Sequence, residues 1–204
     1  MLLLVRHGEA AGNAAGLLLG RTDSPLTDRG RAQAAALSHA LGAVQRVITS
    51  PLARARHTAS LLVPHLPAQV DERWIEIDYG VFEGRALSTV PSTLWAQWRQ
   101  DPSFRPEGGE SLVDVGVRVR EACEELHDAS SESDADPDGG VVVVSHVSPI
   151  KAAVAWALGA GDDLAWRLYL ATGSVTRIGW GADGPVLRAY NETAYADPRT
   201  ARPG

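Results

Sequence analysis

Residues 2–9 read Leu-Leu-Leu-Val-Arg-His-Gly-Glu, and this stretch decides the fold of the chain. Its apolar run is typical of a strand that is buried on both faces of a parallel sheet. Arg6 and His7 then fall at the carboxyl end of the strand, where open α/β sheets place their ligand crevice. A guanidinium beside an imidazole at this position indicates an anion site that contains a nucleophile. A strand that leads into an ordinary polar loop would explain the same residues, so the interpretation depends on partners elsewhere in the chain.

The composition limits the classes of protein and partner. The chain has 204 residues, of which 45% are hydrophobic, and a net charge of −6. This length predicts a single domain over residues 1–204, with a small helical cap at about residues 80–110. The negative charge disfavours nucleic acid and anionic membranes as partners, because both attract basic surfaces. Cys123 is the only cysteine, so an internal disulfide is excluded. We recognise no secretory leader and no membrane-spanning stretch, and we expect a soluble, cytoplasmic protein.

Strand and helix patterns alternate along the chain. This alternation predicts an α/β fold, a three-layer α/β/α sandwich around a mostly parallel central sheet. The predicted strands are residues 2–6, 46–50, 69–77 and 141–144, the predicted helices are 32–41, 53–63, 111–127 and 149–158, and residues 173–190 are predicted as a terminal antiparallel hairpin. We interpret the acidic stretch 129–140 as a solvated loop and the residues from 196 onward as a frayed tail.

Three of the predicted strands end in polar residues of the same kind. Arg6 and His7 follow the first strand, Arg54 follows the second, and His146 follows the valine-rich strand. Because the carboxyl ends of parallel strands meet at one edge of a sheet, these side chains are expected to converge. Helices begin just after two of these ends and offer free backbone N–H groups. Arginine forks, imidazoles and helix termini together predict a phosphate site.

The predicted site suits phosphoryl transfer. A neutral histidine nitrogen can attack phosphorus and form a phosphohistidine. The transfer mainly requires positioning and neutralisation of the phosphoryl oxygens, which arginines and a second imidazole can supply without a metal. The leaving alkoxide also needs a proton donor, and the acidic segment 72–83 can provide one. A like-charged phosphate nearby would favour the protonated form of such a carboxyl group.

Six motifs that occur in order along the chain point to one family. They are Arg6-His7-Gly8-Glu9 with Asn13 downstream, residues 26–34 (LTDRGRAQA), residues 50–59 (SPLARARHTA), residues 76–84 (EIDYGVFEG), residues 108–111 (GGES), and the valines that lead to Ser145-His146. In this order they resemble the histidine phosphatase superfamily, the group that contains the cofactor-dependent phosphoglycerate mutases and many small phosphatases. The resemblance covers nearly the whole chain.

The resemblance implies a role for each matching residue. His7 would be the phosphorylated nucleophile, and Glu76 would act first as general acid and then as the base that activates water. The residues that would hold the phosphoryl group are Arg6, Arg54 and His146. The residues that would contact the substrate at the rim of the pocket are Asn13, Arg21, Val147 and Glu83. The family resemblance implies a small phosphorylated substrate, no cofactor and no metal.

One departure from the family pattern lies directly after the second histidine. Val147 stands where the family usually has glycine, and it lacks the conformational freedom of glycine. Its backbone N–H is retained, so we expect the site to survive with a changed loop. Ser148 is either a further contact to the substrate or the N-cap of the following helix.

Two other features have alternative interpretations. Trp95 and Trp98 are three positions apart and would share a helix face, either packing the core of the cap or lining the substrate entrance. Lys151 could steer anions, or it could be a solvated lysine in the first turn of a helix.

Three functions compete at this point: a metal-independent phosphatase for small phosphate esters, a phosphoglycerate-type mutase, and a module that binds phospho-ligands without turnover. Gly84 and Gly108 are only 24 positions apart, which leaves room for a short cap. A short cap exposes a phosphohistidine to water and favours hydrolysis. A binding module without turnover would be expected to lack a catalytic residue. All five predicted catalytic residues are present, namely Arg6, His7, Arg54, Glu76 and His146, which disfavours this alternative. A homodimer is compatible with the sequence but is not specified by it.

Overall fold

A computed structural model describes residues 1–132 and 139–193. Within these ranges six strands form one sheet, in the order β3-β2-β4-β1-β5-β6. The strands are β1 (Leu2–Arg6), β2 (Val44–Thr49), β3 (Ala68–Val70), β4 (Gly140–Ser145), β5 (Val175–Gly181) and β6 (Gly184–Glu192). The strands β3, β2, β4 and β1 are parallel, whereas β5 and β6 form an antiparallel hairpin beside β1. The α/β class, the mostly parallel sheet and the terminal hairpin are thereby confirmed.

Helices cover both faces of the sheet. They are α1 (Ala11–Ala14), α2 (Asp28–Leu37), α3 (Ala53–Leu62), α4 (Ser92–Gln100), α5 (Leu112–Glu132) and α6 (Val147–Ala157). Short 3₁₀ turns occupy residues 38–40, 72–74, 80–82, 87–89 and 162–167. No helix in the described ranges is long and apolar enough to cross a bilayer.

The residues of β1 explain its central position. Leu2 and Leu4 pack into the apolar cluster that contains residues of α5 and α6, whereas Leu3 and Val5 pack into the cluster that contains residues of α2 and α3. Successive side chains of a strand point to opposite faces. The apolar run Leu2–Val5 therefore needs a helical layer on each side, and β1 has both.

The predicted strand 69–77 is wrong over most of its length. Only Ala68–Val70 pair with β2, and the chain then turns into a 3₁₀ helix. The carboxylate of Asp71 accepts a hydrogen bond from the Arg73 N–H, a local turn that competes with strand pairing. Trp74 is fully buried in the core directly afterwards. This turn places the following residues across the edge of the sheet, where the candidate site lies.

Helix boundaries differ from the predictions at several places. α2 begins at Asp28, after Thr27 as its N-cap, rather than at residue 32, and it ends at Leu37, where a 3₁₀ turn follows. α5 extends to Glu132, five residues beyond its predicted end. α6 begins at Val147 rather than Pro149, with His146 in the N-cap position, so the interpretation of Ser148 as an N-cap is wrong.

Other predictions are tested by the structure only in part or not at all. The division into one domain with a cap stays a prediction, although α4 does lie in the predicted cap segment. The predicted acidic loop 129–140 is wrong at its two ends, because residues 129–132 belong to α5 and Gly140 begins β4. Positions 133–138 of this loop and the predicted tail from 196 onward lie outside the described residues.

A close contact between two glycines fixes the loop after β1. A Cβ atom added to Gly8 would lie 2.2 Å from the carbonyl oxygen of Gly30, and one added to Gly30 would lie 2.0 Å from that of Glu9. Only glycines allow the loop to rest directly on the first turn of α2. His7 lies between β1 and this loop, so both the sheet and the packing of the loop on α2 hold it in position.

Candidate active site

The ends of β1 and β4 and the start of α3 bring the predicted cations and imidazoles together. The ring centroids of His7 and His146 are 5.0 Å apart, and the Nε of Arg54 donates a hydrogen bond of 3.2 Å to the Nε2 of His7. Both histidines and Arg54 are at most 3% exposed. The structure thus brings these residues to one sheet edge, as their positions in the sequence predict. Their catalytic roles stay predictions.

The hydrogen bonds of His7 define its tautomer. Its Nδ1 lies 2.7 Å from the carbonyl oxygen of Gly8, which can only accept, so Nδ1 carries the proton. Its Nε2 faces the Arg54 guanidinium, which can only donate, so Nε2 carries the lone pair. Burial first, and then the charges of Arg6 and Arg54, hold the pKa of His7 well below its ordinary range. His7 is therefore a neutral imidazole with a nucleophilic Nε2.

His146 is held by one partner and has one nitrogen without a partner. Its Nε2 lies 2.7 Å from the Ser50 hydroxyl, and burial, followed by the charges around it, lowers its pKa. Within the part of the chain that the structure describes, its buried Nδ1 has no hydrogen-bond partner, and neither does the buried Nε of Arg6. Nearly all buried polar atoms in proteins have a partner, so two exceptions beside one nucleophile indicate a place for ligand oxygens.

Arg54 is fixed by the backbone of a neighbouring loop. Its Nη1 donates to the carbonyl of Thr22 at 2.8 Å and its Nη2 donates to that of Gly20 at 2.6 Å. The carboxylate of Glu83 in turn accepts hydrogen bonds from the backbone N–H groups of Arg21 and Thr22 at 2.7 and 3.0 Å. Glu83, which the sequence analysis places at the rim of the substrate pocket, therefore stabilises the loop 20–22 that positions Arg54.

Glu76 lies at the N-terminus of α6. Its Oε1 accepts from the N–H groups of Ile77 and Ser148 at 2.9 and 3.1 Å, and its Oε2 accepts from that of Val147 at 3.1 Å. The free N–H groups predicted at this helix start thus face a carboxylate that lies beside the phosphate site. Helix N-termini favour negative charge, so this position holds the Glu76 side chain in a single arrangement.

A cavity of about 180 Å³ lies at this edge of the sheet, and the predicted site residue His146 does not line it. Its lining includes the predicted site residues Arg6, His7, Asn13, Arg54, Glu76 and Val147. The amide oxygen of Asn13 accepts from the N–H of Ala10 at 3.0 Å, which leaves its NH₂ group available to a ligand. A larger groove of about 590 Å³ beside α3 and β3 contains none of the predicted residues.

Arg21 does not line this cavity but supports the loop that carries Glu76. Its guanidinium donates to the carbonyl of Glu76 at 3.4 Å and pairs with Asp78 and Glu110 at 3.6 and 3.1 Å. Glu110 is also bound by Arg118 at 3.1 Å. These contacts make Arg21 a positioning residue, and the predicted substrate contact stays untested.

Three residues that support or line the candidate site were not predicted as site residues. Ser50 orients His146 and is signalled only by its place at the end of β2. Thr58 accepts from the Gly8 N–H at 3.1 Å and donates to the carbonyl of Arg54 at 2.8 Å, which links the nucleophile loop to α3. Tyr79 lines the cavity, and burial raises the pKa of its hydroxyl. The aromatic position in the segment 76–84 was the available signal for Tyr79.

Val147 does not need the freedom of glycine. Among residues 1–132 and 139–193, Asn191 is the one non-glycine residue with a positive φ. Val147 therefore starts α6 in an ordinary helical conformation and presents its N–H to Glu76.

Comparison with known proteins decides the family. The model of the histidine phosphatase superfamily (branch 1) matches residues 2–193. The chain belongs to the histidine phosphatase superfamily. The resemblance inferred from the motifs is confirmed.

Relatives within the superfamily carry different names. The chain is 34% identical over 203 residues to a bifunctional protein of Mycobacterium tuberculosis, covering 95% of this chain and 54% of that one. It thus spans about half the length of this relative. It is 32% identical over 205 residues to a probable phosphoglycerate mutase of Cronobacter sakazakii, covering 95% and 94%. The solved structure of a mycobacterial glucosyl-3-phosphoglycerate phosphatase in complex with VO3 superposes with a TM-score of 0.84 at 31% identity, covering 93% and 98%.

The two buried histidines of this superfamily member, His7 and His146, predict a loss of stability in mild acid. Folding lowers the pKa of His7 and His146 below the ordinary 6.5, so below that pH the unfolded chain binds protons that the folded chain does not. The contribution of these neutral histidines to the free energy of unfolding is therefore fully present above pH 6.5 and decreases as the pH falls below it. Each histidine contributes up to about 1.4 kcal/mol per pH unit. Urea unfolding between pH 8 and 5.5 measures this slope.

A matched pair of variants tests the assignment of the slope. His7→Gln should remove about half of it. The same change at the exposed His57 of α3 should leave the slope as in the wild type. A slope that is equal in all three proteins would contradict the prediction.

Proposed function

We propose that the chain is a metal-independent phosphomonoesterase that hydrolyses small phosphate esters through a phosphohistidine on His7. The observation that carries this proposal is the neutral His7 Nε2 beside the buried Nε of Arg6 and Nδ1 of His146, which lack partners within the described residues. A nucleophile, two cations and two unused polar atoms match a phosphoryl group. Relatives that are named as phosphatases support the same reaction class.

In the first step the Nε2 lone pair of His7 attacks phosphorus. The bond between phosphorus and the ester oxygen breaks, its electron pair goes to that oxygen, and protonated Glu76 gives this oxygen its proton. In the structure, Arg54 Nε donates a hydrogen bond of 3.2 Å to the same lone pair of His7. When the substrate binds, this N–H must donate to a phosphoryl oxygen instead, which frees the lone pair for attack. Arg6 and Arg54 balance the charge of the phosphoryl oxygens.

In the second step water attacks the phosphohistidine. The Glu76 carboxylate accepts a proton from this water, the bond between phosphorus and Nε2 breaks, and its electron pair returns to His7. Inorganic phosphate leaves, and Glu76 is protonated for the next cycle. Glu76 gives up one proton in the first step and regains one in the second, and His7 is restored, so the full cycle needs no further group.

A phosphoglycerate-type mutase is the second candidate, because a relative of nearly equal length carries that name. A mutase would return the phosphoryl group from His7 to a second hydroxyl instead of water. We propose hydrolysis as the main outcome, because the segment between Gly84 and Gly108, which contains α4, is short for a lid over the site. The cytoplasmic location expected from the sequence stays a prediction, and a homodimer, with which the sequence is compatible, is not tested.

Hydrolysis of p-nitrophenyl phosphate with EDTA present tests the proposal. Wild-type protein should release nitrophenolate and inorganic phosphate in equal amounts, at the same rate with and without EDTA. A rate that EDTA abolishes would contradict metal independence. Incubation with 3-phosphoglycerate separates the candidates, since a phosphatase releases phosphate and a mutase releases an isomeric phosphate ester.

A further inference from the structure

The cavity of about 180 Å³ lined by Arg6, His7 and Arg54 is called the phosphate cavity below. A second pocket of about 80 Å³ lies beside the phosphate cavity. Residues that line it include Tyr79, Trp95, Trp98, Val147, Lys151 and Trp166. Tyr79 and Val147 line the phosphate cavity as well, so the two spaces share part of their walls. The second pocket is therefore the neighbouring space toward which a group on the ester oxygen of a bound phosphate would extend.

Four aromatic rings contribute to its wall. Trp95 and Trp98 of α4 stack with ring centroids 5.8 Å apart, and Trp166 meets Trp95 edge to face at 6.1 Å. Tyr79 meets Trp98 edge to face at 5.5 Å. Aromatic walls favour flat apolar rings, because they bury area and add ring–ring attraction. A single ring requires roughly 150 Å³, which is more than the 80 Å³ of this pocket, so part of a bound ring would lie outside it, toward Tyr79 and Val147.

The pocket also contains two hydrogen-bond donors with spare capacity. The indole Nε1 of Trp98 is buried without a partner among the residues that the structure describes. The Nζ of Lys151 donates to the carbonyl of Ala165 at 2.8 Å, and an ammonium has three donors. Trp166 Nε1, by contrast, is satisfied by the carbonyl of Trp98 at 3.1 Å. A donor without a partner and a half-buried cation suit an acceptor oxygen that carries negative charge.

We propose that this second pocket binds the leaving group of the phosphate ester and selects a planar aromatic ring that carries a carboxylate. The inference rests on the proposed phosphatase function and names its substrate class. The ring lies among Trp95, Trp98 and Trp166, and the carboxylate accepts from Lys151. Trp95 and Trp98 thus line the substrate entrance in addition to packing the cap, and Lys151 is a specificity residue.

Benzyl phosphate and ethyl phosphate form a matched pair of probes. Both leave as primary alkoxides, so their chemical reactivity is similar and the ring is the main difference. We expect kcat/KM to be about tenfold or more higher for benzyl phosphate, from burial of the ring. Trp95→Ala should bring the ratio of the two kcat/KM values close to one. Trp156→Ala, at a tryptophan outside both cavities, should preserve the wild-type ratio. Equal kcat/KM values of the wild-type protein for the two esters would overturn the proposal. This measurement does not depend on the folding of any variant.

Lys151→Met tests the carboxylate. Wild-type protein should prefer 4-carboxybenzyl phosphate over benzyl phosphate by about threefold or more, and the variant should lose this preference while it still prefers benzyl over ethyl phosphate. The opposite preference in the wild type would remove the carboxylate from the proposal.

Binding measurements separate this inference from the proposed function. If no phosphate ester is hydrolysed, the phosphatase proposal fails, and calorimetry with benzylphosphonate and methylphosphonate decides the pocket alone. Tighter binding of benzylphosphonate supports the pocket as a ring site, and equal binding of the two overturns it.

Discussion

His7→Gln is expected to lower kcat for p-nitrophenyl phosphate by about 10⁴-fold or more, because glutamine offers no lone pair that can attack phosphorus. Glutamine is close to histidine in size, and its amide can still donate to the carbonyl of Gly8 and accept from Arg54. The phosphate cavity should therefore keep its shape and its cations. The expected loss is in the chemical step, with binding of inorganic phosphate nearly unchanged.

The phosphohistidine itself gives an independent measurement. Rapid acid-free quenching of wild-type protein during turnover, followed by digestion and mass spectrometry, should find phosphate on the peptide that contains His7. The variant His57→Gln serves as the control, since its imidazole lies on α3 outside the phosphate cavity, and it should retain wild-type kcat. Near-wild-type activity of His7→Gln would exclude the covalent route.

The sequence allowed the convergence at the sheet edge to be predicted for a topological reason. Apolar runs at residues 2–5 and 141–144 required buried parallel strands, and the polar residues after them had to share one edge. His7 and His146 are 139 positions apart in the sequence, yet their rings lie 5.0 Å apart. Hydrophobic pattern and strand direction were sufficient for this part of the site.

The loops were less predictable because their contacts are distant in sequence and local propensity does not encode them. Glu83 matched a family motif, but nothing near it indicated that its carboxylate would hold the N–H groups of Arg21 and Thr22. The predicted strand 69–77 failed for the opposite reason, since a local Asp71 turn overrode a β-like pattern. Burial of Trp74 then fixed the position of Glu76.

The aromatic pocket shows the same limit. Spacing placed Trp95 and Trp98 on one helix face, but Trp166 and Lys151 reach the pocket from other elements. Sequence spacing could not distinguish a packed cap from a lined entrance, because both need apolar residues on the same face. Tyr79, which contacts Trp98 and also lines the phosphate cavity, places this pocket next to the site.

Glu76→Gln is expected to separate the two steps of the proposed reaction. Ethyl phosphate requires a proton on its leaving oxygen, and its hydrolysis should fall by about 10²–10⁴-fold. Nitrophenolate leaves without a proton, so phosphorylation of His7 by p-nitrophenyl phosphate should be far less affected. The following attack of water lacks its base and becomes slow. Stopped-flow absorbance should therefore show a burst of nearly one nitrophenolate per active site, followed by slow turnover.

The change at Glu76 also alters hydrogen bonds at the start of α6, so a control for folding is needed. The amide oxygen of glutamine can replace one carboxylate oxygen, but its NH₂ group cannot accept from the N–H groups of Val147 or Ser148. Unfolding in urea measures that structural loss separately from catalysis. Glu72→Gln, at an exposed carboxylate near the same loop, should keep both activities. Equal losses for the two esters without a burst would show that Glu76 supports the structure of the site but does not transfer the proton, because only a proton donor discriminates between leaving groups.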